Sequence, residues 1–195
     1  MRRWLRIALA ITVTLGVTAC VPPVAGSVGI SVDAQGHPVA VLAWCDGTAP
    51  EEVIVSHEET SSGVSGTDSE SSPSSLPSDT APTRWVEDAT FHAPDLDGQS
   101  ASVRLDAPAG GWTVEPGPPA LKPGVMYHVS GGKGRGNSRV NTSSVSFTTE
   151  DLVKLEPGRV FVQKLDETSP TITWVDTTIS RAEFDREGQD PDACQ

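Results

Sequence analysis

Gly26-Ser27-Val28-Gly29-Ile30-Ser31-Val32 and Pro38-Val39-Ala40-Val41-Leu42-Ala43-Trp44, joined by Asp33-Ala34-Gln35-Gly36-His37, are the stretch that decides the architecture. Each run is short and rich in Val and Ile, and turn-forming residues lie between them, so the pair predicts a β-hairpin rather than a helix. A third strand, Glu51–His57, follows the Asp46-Gly47 turn.

Downstream, seven more segments carry strand patterning: Thr83–His92, Ser100–Leu105, Gly111–Glu115, Val125–Gly131, Ser144–Phe147, Arg159–Lys164 and Thr171–Val175. Gly, Pro or Asp lies near most of the breaks, and no long 3.6-residue repeat is present. The expectation is therefore an all-β fold, an immunoglobulin-like or related β-sandwich, with an open barrel as the alternative. Two short helices are signalled inside it. Thr148 with Asp151, and Ser180 with Glu183, have capping-box spacing, flanked by the hydrophobic pairs Phe147/Leu152 and Ile179/Phe184. Residues 58–82 hold nine serines and three prolines, too little apolar material to bury a core. They are expected to be a disordered, low-complexity insert within one β-rich domain spanning 26–195.

The chain has 195 residues, 26 acidic against 14 basic, and a formal charge of −12. Binding to a nucleic-acid backbone is excluded as a function class, since the charge is strongly negative and no block of Lys or Arg occurs beyond the first six residues. Three of the arginines (Arg2, Arg3, Arg6) precede an apolar run, Ile7–Val17, that is too short to span a bilayer, which marks a secretory signal peptide over residues 1–19. Removing it takes the formal charge from −12 to −15, termini aside.

Val17-Thr18-Ala19-Cys20 resembles the lipobox of bacterial lipoproteins. The resemblance implies cleavage before Cys20, transfer of a palmitate-bearing diacylglycerol to its thiol, and residence on the outer face of the cell membrane, with 20–25 as lipidated cysteine and short spacer. With Cys20 acylated, Cys45 and Cys194 remain, and two thiols in an exported chain are expected to form a disulfide. Phe147–Val162, together with the late capping segment and the terminal cysteine, is similar to domains of actinobacterial lipoproteins. That resemblance concerns structural motifs and carries no activity to these residues.

Chemistry-bearing clusters are sparse. Lys133, Arg135 and Arg139 lie in the Gly-rich stretch Ser130–Arg139, where backbone N–H groups and three cations could cradle an anion. A hairpin loop whose cations offset an acidic surface explains the same residues. His92 and His128 fall in predicted strands and could meet across a sheet, whereas His57 is expected at the start of the insert. Asp95–Ser100 departs from the calcium-loop template and reads as a turn. No zinc-type spacing occurs, so neither metal nor cofactor is expected. Trp44, Trp85, Trp112 and Trp174 are all expected in the core. The functional expectation is a non-enzymatic, membrane-anchored module binding an envelope protein, a wall glycan or a small anionic ligand. The alternative is a hydrolase acting on envelope polymer.

Overall fold

The computed structural model describes residues 23–60, 83–134, 139–166, 171 and 173–193. Cys20, Arg135, Cys194 and the insert beyond Thr60 lie outside the described residues. The predicted hairpin forms as β1 (Ser27–Val32) and β2 (Pro38–Ala43), paired antiparallel from Ser27↔Ala43 to Val32↔Pro38. Its turn is held by the Asp33 carboxylate, which accepts the N–H groups of Gln35 and His37, with Gly36 at φ +85°.

Eight strands follow: β3 (Glu52–Thr60), β4 (Thr83–His92), β5 (Ser100–Arg104), β6 (Thr113–Glu115), β7 (Tyr127–Lys133), β8 (Val140–Phe147), β9 (Arg159–Asp166) and β10 (Thr173–Ser180). They form two five-stranded antiparallel sheets, ordered β10-β9-β1-β2-β5 and β6-β4-β3-β7-β8. This is an all-β sandwich. Between the sheets lies a core that includes Val28, Ile30, Leu42, Trp44, Val53, Val55, Phe91, Val129, Val145 and Phe147.

Several strand boundaries differ from expectation, among them the N-terminal end of β8 at Val140 rather than Ser144 and the C-terminal ends of β3 and β10. Glu58–Thr60, assigned to the insert, continue β3 by pairing with Trp85, Arg84 and Thr83. The last strand runs on to Ser180 because β9 supplies a backbone partner for every residue from Thr173 onward. Ladder hydrogen bonds need no apolar side chains, so composition alone stops both strands too early.

Both helices begin where the capping residues put them. In α1 (Thr149–Lys154) the Asp151 carboxylate accepts the backbone N–H and hydroxyl of Thr148 at 3.0 and 2.8 Å. In α2 (Arg181–Gly188) the Ser180 hydroxyl accepts the Glu183 N–H at 3.2 Å. Helix α2 closes the outer face of the first sheet, forming a second core of Val41, Ala43, Val160, Val162, Ile179 and Phe184. Sheet one is thus covered on both faces around β1 and β2, which is why these strands read as apolar runs rather than as a clean alternation. Gly29 makes this possible, since a Cβ there would lie 2.4 Å from Val160 Cγ1 and 3.1 Å from Phe184 Cε2.

The two sheets are stitched along β8. Asn141 donates its N–H to Pro23 and accepts from Ala25, Ser143 donates to Gly26, and Val24 bridges Asn141 in parallel. Further along β8, the Gln163 side chain accepts the Ser146 N–H at 3.0 Å. The exposed edge that strands of a sandwich must otherwise protect is covered here by the chain's own backbone and one amide.

Candidate functional site

The tryptophans divide in two. Trp44 and Trp112 are buried, as expected, but Trp85 is 47% and Trp174 68% exposed. The expectation that all four lie in the core is corrected by strand geometry. In β4, Ala89 and Phe91 face the core, and strict alternation would place Trp85 with them. A β-bulge intervenes, however: Val55 pairs with Ala89 and Ser56 with Glu87, so Asp88 is an extra residue and the parity flips. Trp85 therefore faces outward. Trp174 shares its face of β10 with Asp176 and Thr178, all exposed, while Ile179 on the opposite parity is buried.

Trp85 and Trp174 border one groove of about 400 Å³, which His128, Ser144, Ser146 and Gln163 line with them. The groove lies where the outward face of β4, β7 and β8 meets the β9–β10 ribbon. Cross-strand pairing sets its polar wall: His128 faces Ser146 and Ser130 faces Ser144. The imidazole Nδ1 of His128 lies 3.1 Å from Ser146 Oγ, and its ring centroid is 5.1 Å from that of Trp85, tilted by 47°. Burial pushes the His128 pKa below its ordinary value, so the imidazole is neutral at neutral pH. Gln163 binds Ser146 N–H through its carbonyl and Asp176 through its amide N–H, at 3.0 and 2.9 Å, fixing the ribbon against β8.

A second concavity, about 420 Å³, lies beneath the β6–β7 connection, lined by His57, Asp88, Tyr127, Lys122 and a run of prolines. The bulge residue Asp88 holds His57, with Nδ1 2.8 Å from Oδ2. Expected to open the insert, His57 instead lies inside β3, a strand that extends three residues beyond it. The Tyr127 hydroxyl is already engaged, accepting from Lys122 N–H and donating to Ala120 O.

The two described cations of the Gly-rich stretch, Lys133 and Arg139, face their own chain. Lys133 Nζ donates to Gly47 O at 3.0 Å, Gly134 N–H to the Glu51 carboxylate at 3.2 Å, and Arg139 pairs with Glu52 at 2.9 Å. His92 and His128 are not brought together. They flank β3 on opposite sides and pair with Glu52 and Ser56, four residues apart, which is about 13 Å along the strand. The Asp95–Gln99 connection turns at Gly98, φ +78°, and ties back through Gln99 to Asp46. Among the described residues no group of three His, Cys, Asp or Glu could hold a metal ion, and no helix is long and apolar enough to cross a membrane. The Cys45 sulfur lies 3.9 Å from the carbonyl oxygens of both Gly188 and Asp190. Comparison with protein-family models, curated proteins and solved structures finds no match.

Proposed function

We propose that the chain is a lipid-anchored binding module on the outer face of the cell membrane, acylated at Cys20, stapled by a Cys45–Cys194 disulfide, and acting through the Trp85–Trp174 groove without turnover. The observation that carries the binding role is the exposure of two indoles on one polar-lined groove. Large aromatic side chains left in water cost burial free energy unless a ligand or partner covers them. The lipobox supports the anchor, and the C-terminal segment lying on Cys45 four residues before Cys194 supports the bridge.

Cosedimentation of the full chain with its acyl anchor removed by Cys20→Ser, against membrane-depleted cell-envelope material, tests the role, with mass spectrometry of the membrane-extracted wild-type protein reading the N-terminus. The Cys20→Ser protein should pellet, and the same protein carrying Trp85→Ala and Trp174→Ala should stay in solution. Equal pelleting of both overturns the groove, and an unmodified Cys20 overturns the anchor.

The His57–Asp88 pair supports a second reading, a hydrolase of envelope polymer, because a carboxylate on Nδ1 leaves Nε2 oriented as a base. Release of soluble fragments from the envelope material, abolished by His57→Ala, would replace binding with catalysis.

A further inference from the structure

From the lining of the Trp85–Trp174 groove we infer its ligand class: an uncharged oligosaccharide, stacked on the two indoles and hydrogen-bonded by the serine and histidine wall. This rests on the binding role proposed above and names what is bound. A sugar ring has an apolar C–H face and a rim of hydroxyls, so it needs an aromatic face together with groups that both donate and accept. The groove supplies both, with Trp85 and Trp174 as platforms and Ser144, Ser146 and His128 as the polar wall.

Charge argues against an anionic ligand. Among the described residues no Lys or Arg lines the groove, His128 is neutral at neutral pH, and Asp176, the carboxylate held by Gln163, has the wrong sign. The chain as a whole is strongly acidic, so an anionic polymer is repelled before it arrives. Polar order is already built in: Gln163 spends its amide on Ser146 and Asp176, which leaves the serine and imidazole groups positioned on fixed strands rather than on loops.

The test titrates the full chain with maltotriose, cellotriose, mannotriose and chitotriose, and with trigalacturonate as the anionic counterpart, following tryptophan fluorescence and heat. At least one neutral trisaccharide should bind, with trigalacturonate at least tenfold weaker. Trp85→Ala and Trp174→Ala should each weaken binding at least tenfold at unchanged melting temperature, and Trp174→Phe should recover part of the loss.

Failure of all four neutral sugars overturns the glycan assignment. If the envelope cosedimentation still depends on both tryptophans, the binding role stands and the occupant is a protein surface. Neutral-sugar binding unaffected by either alanine variant places the site elsewhere and overturns the inference. So does resistance of the ligand-free protein's tryptophans to iodide quenching, which would mean that another segment of the chain fills the groove.

Discussion

Gly29→Ala is the sharpest probe of how α2 and β9 close over the first sheet. The new methyl would sit 2.4 Å from Val160 Cγ1, 3.0 Å from Phe161 O and 3.1 Å from Phe184 Cε2, where carbon atoms prefer about 3.5–4.0 Å. Overpacking of this kind costs about 1–3 kcal/mol, and the upper half of that range applies because one of the three obstacles is backbone. Gly29 is not in the left-handed region, so alanine also gains about 0.5–1 kcal/mol by restricting the unfolded chain. The net expectation is a loss of about 1–2.5 kcal/mol, or about 2–10 °C in melting temperature for a chain of this size. Thermal unfolding by circular dichroism reads it directly. Val160→Ala removes the worst obstacle, so the double variant should be more stable than the sum of the two single losses by at least about 1 kcal/mol. An unchanged melting temperature for Gly29→Ala, or strict additivity with Val160→Ala, would refute the close packing of β9 and α2 on this face.

Three further outcomes are expected. Peptide mapping without reductant should recover Cys45 linked to Cys194, and reduction should lower the melting temperature. The chain-entropy ceiling for so long a loop is about 5 kcal/mol, and recovery of both thiols free would eliminate the bridge. Ser180→Ala should cost about 1 kcal/mol through the lost cap on Glu183 N–H, read as a shift in the urea midpoint. Acid should also destabilise the fold. The Arg104 side chain hydrogen-bonds Asp106 and holds it below the ordinary aspartate value of 3.8. At Asp151 burial pulls upward but is outweighed by the Thr148 hydroxyl and N–H and by Lys154. Carboxylates depressed in the folded state contribute stability that is whole above the unfolded value and lost as pH falls through the folded one. Asp151→Asn should therefore be less stable than wild type at pH 7, with the gap closing in acid. A gap that persists unchanged at the acid end would show that ionisation is not what Asp151 contributes.

Strands and caps were readable because they depend on neighbours in sequence: a Gly at a turn, a Ser three residues before a Glu. The rest depends on registers that only pairing creates. The Asp88 bulge reverses which side of β4 faces water, so alternation counted back from Phe91 puts Trp85 in the core when it is outside. For Trp174 the signal was present, since Asp176 and Thr178 share its parity, but the aliphatic Val175 beside it masked the pattern. His57 ends the strand expected from the sequence, because two acids and then a serine-rich run follow it, whereas the ladder carries β3 on to Thr60. The cover over the outer face of sheet one was hidden in the same way: Phe184 is 155 residues from Gly29, and nothing local links them.

The backbone bridge between Val24 and Asn141 has a consequence for orientation. With an acyl chain on Cys20, no more than four residue steps, about 14 Å, separate lipid from fixed strand, so that end of the domain is kept close to the bilayer. Asn141 lies at the end of β8 beside Gly132 and Lys133, and the Trp groove begins further along the same strand, reaching Ser146 about 17 Å on. Under the proposed anchoring, the end of the hairpin that bears Lys133 and Arg139 would lie nearest the headgroups, and the two exposed indoles would lie farther out by about the length of one β-strand.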